Sequence, residues 1–108
     1  MEVRKVVEKS DFAKRLVDLR MNKGVSARDM SLSIGQSPGY INNIENGVNF
    51  PSMTVFFYIC DYLSISPKEF FDYESTDPAK SNELQEVSQR LKSDQLEILI
   101  RLAKDLQK

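Results

Sequence analysis

The stretch Val25–Gly47, VSARDMSLSIGQSPGYINNIENG, decides how this chain is read. Ser26 opens a helix, with Asp29 three places on in a pattern resembling a capping box. Met30 and Ile34, four apart, supply one buried face, and Gly35 stops the helix. Ser37 is the expected N-cap of the next helix, with Pro38 at the first helical position, where its missing N–H costs nothing. Tyr40, Ile41 and Ile44 mark that helix as short, ended by Asn46-Gly47. A helix of about eight residues, a turn of three or four and a second short helix make the helix-turn-helix spacing. Gly35 permits φ > 0 in the turn, so the second helix can cross the first steeply and project its N-terminus into a major groove. A plain α-hairpin inside a bundle would use the same glycine and cap, so the spacing alone fits both.

The flanks are also helical in period. A first helix is expected from Ser10 or Asp11 to Gly24, with Phe12, Leu16, Leu19 and Met21 as its apolar positions and Gly24 as its C-terminal cap. Ser52 caps a fourth helix to about Leu63, with Val55, Phe56, Ile59, Cys60 and Leu63 inward. Ser66-Pro67 opens a brief fifth helix through Phe70 and Phe71. No alternating run bounded by hairpin signals appears, so the expected class is all-α. Residues 1–72 form the expected domain. YESTDPAKSN, residues 73–82, is polar and reads as a linker. Residues 83–108 give a two-helix hairpin: one helix to about Leu91, a break at Ser93-Asp94 and a last helix from Gln95.

Composition narrows the chemistry. The chain has 108 residues, 41% hydrophobic and 29% charged, an ordinary balance for one compact domain with a short appendage. No apolar run approaches the ~20 residues of a membrane span, and MEVRKVVEKSDF has no apolar core of a signal peptide. There is no histidine and one cysteine, Cys60, set in an apolar stretch and expected to be buried. A four-ligand nitrogen/sulfur zinc site and a Ser-His or Cys-His nucleophile pair are therefore excluded within one chain. No glycine-rich phosphate loop is present, and carboxylates such as Asp72 and Glu74 fall in polar sequence, so an enzyme is not expected. No cofactor is implied. The net charge of −1 is unusual for a nucleic-acid binder. The charge is uneven, however: residues 1–28 carry eight basic side chains (Arg4, Lys5, Lys9, Lys14, Arg15, Arg20, Lys23, Arg28) against four acidic ones.

Around the central stretch the chain resembles the Cro/repressor-type (XRE) helix-turn-helix family. The resemblance is carried by Leu19-Arg20 with Gly24; Ser26, Met30 and Ser31; Ile34-Gly35; Ile41; Ile44-Glu45-Asn46-Gly47; Pro51-Ser52; and Leu63 with Ile65. It spans roughly residues 10–72. It implies a five-helix repressor-like domain followed by the C-terminal two-helix extension, binding double-stranded operator DNA as a homodimer through the third helix. The base-reading positions it implies are Ser37, Pro38, Gly39 and Asn43, with Asn42 nearby. Asn46 matches a phosphate-contacting position, and Arg20 with Glu45 matches a structural ion pair.

The departures are informative. Ala27 stands where the family often has a phosphate-binding glutamine, and Pro38 and Gly39 offer no side chain for a bidentate base contact. The loop Val48-Asn49-Phe50 lacks basic residues. Readout would rest on Gln36, Ser37, Asn42 and Asn43, with Tyr40, Arg28, Lys23 and Asn46 toward phosphate; Asn and Gln suit adenine edges. Gly39 inside a helix would cost ~1 kcal/mol relative to alanine.

In the last helix Leu96, Leu99, Ile100, Ala103 and Leu106 form one stripe, which Ile98 and Leu102 widen past half the circumference. A helix so apolar needs cover from more than one side. A dimer interface with a second copy, or packing on its own neighbour (Leu84, Val87, Leu91) and the domain, would supply it. The expected function is a cytoplasmic transcription regulator, a repressor on a pseudo-palindromic site. The alternative is a protein-interaction module or antitoxin-like partner that kept the fold, lost DNA reading and binds a protein through its C-terminal helices.

Overall fold

The computed structural model describes residues 7–107, so Arg4 and Lys5 of the basic N-terminal segment lie outside the described residues. All regular elements among them are helices: α1 Lys9–Lys23, α2 Ala27–Ser33, α3 Tyr40–Glu45, α4 Met53–Tyr62, α5 Pro67–Phe70, α6 Pro78–Ser88 and α7 Ser93–Leu106. The chain divides into two compact units, Met1–Pro78 and Ala79–Lys108.

Local chemistry explains most boundaries of the first unit. Ser26 Oγ accepts from the Asp29 N–H, and Ser52 Oγ from the Val55 N–H, so each satisfies an amide that a helix start leaves unpaired. At α5 the cap is reciprocal: Ser66 Oγ accepts from Glu69 N–H, and the Glu69 carboxylate accepts from Ser66 N–H. The ends of α2 and α3 close alike. Gly35 and Gly47 take positive φ of 77° and 74°, and the following amides of Gln36 and Val48 reach back to the Ser31 and Asn43 carbonyls. α4 ends the same way, with Ile65 N–H on the Cys60 carbonyl, although the left-handed residue there is Ser64, at φ 60°.

The core of this unit lies between α1, α2, α3, α4 and α5. Phe12, Leu16, Met30, Ile41, Ile44, Phe56, Ile59 and Phe70 are buried in it. Phe12 and Phe70 have ring centroids 4.8 Å apart, and Phe56 meets Phe70 edge-on at 5.2 Å. Cys60 is buried as expected, and burial pushes its thiol up to about 11. Met21, expected inward, is instead exposed. It sits in the last turn of α1, whose inward row is completed by Leu19.

Three expectations need correction. α3 does not start at Ser37: Ser37-Pro38-Gly39-Tyr40 is a turn, closed by Tyr40 N–H on the Ser37 carbonyl, and the helix begins at Tyr40 with Gly39 as N-cap. Gly39 has φ −94°, ψ 2°, the third-position geometry of a type I turn, with Pro38 at its favoured second position. It is therefore not a glycine in a helix interior and carries no such penalty. Residues 73–82 are not a free linker. Ser75 and Thr76 give their carbonyls to Arg15 and Asn22 of α1, Pro78 is buried, and α6 starts at Pro78. The C-terminal break falls at residues 89–92, with Lys92 as the N-cap of α7 and its N–H bound by the Gln95 side chain.

Candidate nucleic-acid interface

One part-buried and one buried contact hold α3 and leave its outer face open. Arg20 in α1 meets Glu45 at the end of α3 with both prongs of its guanidinium, Nε–Oε2 at 2.7 Å and Nη2–Oε1 at 3.0 Å, while Nη1 donates to the Val25 carbonyl. The Glu45 bond raises the Arg20 pKa further, against the opposing effect of burial. A bidentate, mostly desolvated pair fixes geometry more than it adds net stability. From the other side, Ser31 of α2 is fully buried and accepts from the Ile41 N–H at 3.0 Å.

What faces outward is the set of positions the sequence reading selected. Arg28, Ser37, Pro38, Gly39, Asn42, Asn43 and Asn46 are all exposed, and Gln36 and Tyr40 are half-buried. Among the described residues, the side chains of Arg28, Ser37, Asn42, Asn43 and Asn46 make no intramolecular hydrogen bond. The Gln36 amide has a long contact of 3.4 Å to the Ile34 carbonyl. Tyr40 is the exception in the group. Burial raises its phenol above the usual range, and the nearby Ser52 backbone pulls it partly back.

The basic segment is less available than its composition suggested. Arg15 is 7% exposed and gives all its reach to backbone: Nε to Phe70 at 2.6 Å, Nη2 to Glu69 and Asp72, Nη1 to Ser75. It ties α1 to the end of α5 and the segment after it, a role that no local sequence signal announces. Lys14 pairs with Asp18 on the surface, and Lys23 lies over the Tyr62 ring at 4.8 Å. Lys9, Lys23 and Arg28 are the exposed cations of this segment that carry no ion pair among the described residues.

The apolar positions of α7 differ in exposure. Leu96 and Leu99 are half-buried, while Ile100, Ala103 and Leu106 are exposed. The most open row is Ile98, Leu102 and Leu106, at 68%, 55% and 78% exposure and four residues apart. The described residues hold no group of three or more metal-binding side chains, and no helix long and apolar enough to cross a membrane.

Known proteins agree with this geometry. The family model described as helix-turn-helix matches residues 16–70. Among solved structures, the restriction-modification controller protein C.AhdI from Aeromonas hydrophila is similar at 28% identity and TM-score 0.55, over 58% of this chain and 91% of that one. The clp gene regulator ClgR from Corynebacterium glutamicum is similar in fold at 23% identity and TM-score 0.57, over 89% of this chain and 94% of that one. No curated protein sequence matches the chain. With the family match covering half of the chain, and α2, the Gly35 turn and α3 set as described, the protein belongs to the XRE-type helix-turn-helix family of DNA-binding transcription regulators.

Proposed function

We propose that this protein is a repressor that binds a pseudo-palindromic operator as a homodimer, with α3 in the major groove and the α7 row Ile98-Leu102-Leu106 in the dimer contact. The observation that carries the reading is the outer face around α3. Its polar side chains are exposed and unspent, while the helix itself is held from behind by Glu45 and Ser31. A surface of amides and hydroxyls without internal partners suits base edges, and asparagine suits adenine above all. Pro38 and Gly39 add no side-chain donors, but their small turn lets the backbone come close to the groove.

With few free cations per chain, the phosphate contribution of one protomer is modest, and a second protomer doubles it. The second unit supports the same reading. None of its described residues is buried, and a unit of about 30 residues is below the ~40 that usually hold a core alone. A second copy would cover the open row. Half-sites would then lie about one helical turn apart.

The test is retention of sheared genomic DNA by the purified protein at moderate and high salt, followed by sequencing. A few fragments sharing an inverted repeat, lost at high salt, are the expected result. Absent or uniform retention at both salts would overturn the operator reading in favour of a protein-binding module. That second reading draws on the acidic balance of the chain, pI about 5.5, and on Pro38 and Gly39 at reading positions.

A further inference from the structure

α3 begins without a cap of its own. Its N-cap residue is Gly39, which has no side chain. The backbone there has ψ 2°, in the turn region, whereas a self-capping residue needs extended backbone to bring its oxygen back to the second or third amide. The second amide of the helix, Ile41 N–H, is nevertheless satisfied. It donates to Ser31 Oγ at 3.0 Å, and Ser31 in turn donates its own proton to the Ala27 carbonyl at 2.7 Å. Ser31 is fully buried, so water cannot take either place.

We propose that Ser31 is the N-cap of the reading helix, supplied in trans from α2, and that it is a positioning residue for DNA recognition. The inference rests on the operator-binding reading above. An ordinary N-cap serine would sit on the turn that faces the groove, and its hydroxyl would be used up in capping. Here that duty falls to a hydroxyl ten residues upstream of the amide it caps, on the protected side. Ser37 keeps its hydroxyl for a partner, and Ser37-Pro38-Gly39 can lie against base edges with no bulky cap between. The same bond sets the angle between α2 and α3, because Ser31 Oγ is held by the backbone of one helix and holds the backbone of the other. A displaced hydroxyl would therefore move Asn42 and Asn43 relative to the α2 side chain Arg28.

Three variants test this against a duplex enriched by the unaltered protein from a randomised library. Ser31→Ala removes the acceptor; Ser31→Cys keeps a polar atom on Cβ, slightly larger and a poorer acceptor. Ile59→Val lowers stability in the core without touching the α2–α3 bond. All are measured at a temperature where each variant is folded, alongside amide hydrogen exchange. The expected result is Ile41 exchange at least tenfold faster in Ser31→Ala, operator affinity down about tenfold, and Ser31→Cys between the two. Ile59→Val should keep both affinity and Ile41 protection.

Unchanged affinity in folded Ser31→Ala, or equal losses in Ile59→Val, would overturn the positioning role. Unchanged Ile41 exchange in Ser31→Ala would overturn the cap itself. If the unaltered chain enriches no duplex, the operator reading fails and the positioning role with it, while the Ile41 exchange still decides the cap.

Discussion

α4 and α7 look alike as sequence and end differently as structure. Both carry apolar side chains at helical spacing over three to four turns. In α4 the inward row Phe56, Ile59 and Cys60 is buried, packed near Phe12, Phe70 and Phe71. In α7 no residue is buried, and Ile98, Leu102 and Leu106 stand open. Periodicity says that a helix has an apolar face. It does not say whether the same chain covers that face. The first unit supplies a cover because distant segments return to it: α5 brings Phe70 onto Phe12, and the stretch after α5 closes over Arg15. Within the second unit α7 has α6 as its one companion helix, and none of the described residues there is buried.

That contrast makes the first unit the fragile one, and its largest sensitivity is at Arg15. Arg15→Ala leaves the carbonyls of Phe70 and Ser75 without their donor and takes one of two donors from those of Glu69 and Asp72. Hydrogen bonds to a charged partner are worth about 1.5–3 kcal/mol each, and water can replace the outer ones. We expect a net loss of roughly 2–4 kcal/mol by denaturant unfolding. Arg15→Lys should recover little, because an ammonium cannot fork to several carbonyls. A loss under 0.5 kcal/mol would mean that the α5 end holds itself in place.

Next in size is a pH effect from the buried thiol. Unfolded, Cys60 loses its proton near 9; folded, it keeps the proton to about 11. Above the unfolded value the unfolded chain binds fewer protons than the folded one, so stability falls with rising pH. The loss builds through about pH 9 to 11 and reaches at most about 3 kcal/mol. Thermal melts across that window should show it, and Cys60→Ala should remove that component of the slope whatever it does to stability at neutral pH.

A smaller, stabilising change is expected at the end of α4. Ser64 holds φ 60° where the ends of α1, α2 and α3 use glycine. Ser64→Gly should raise stability by about 0.5–1 kcal/mol, the relief of the side-chain clash less the added flexibility of the unfolded glycine. No gain would mean that the serine side chain has a compensating contact.

The smallest effect on stability, and the sharpest on the comparison, belongs to α7. Ile98→Glu with Leu102→Glu should leave the unfolding of the first unit within about 0.5 kcal/mol, since both positions are open. Sedimentation at matched concentration should meanwhile move from dimer to monomer. A large drop in the melting of the first unit would break the contrast drawn here, by showing that the row is covered within one chain.

Much of the helical plan follows from local chemistry, and the sequence carried it. Ser26, Ser52 and Ser66 cap where serines before a helical pattern should, Gly24, Gly35 and Gly47 turn with positive φ, and Phe12, Leu16, Ile41 and Ile44 recur at inward spacing. The Arg20–Glu45 pair was reached through family resemblance, because its partners are 25 residues apart and no short-range signal links them. The tertiary structure alone decided the rest. Ser37 lost the capping role because Pro38-Gly39 prefers a turn, and Ser31 took it over because α2 lies against the start of α3. Arg15 left the basic surface because the end of α5 offers carbonyls within its reach. Which amide finds which hydroxyl, and which charge is spent on backbone, depends on segments brought together across the fold, and the amino-acid order encodes that only through the packing it produces.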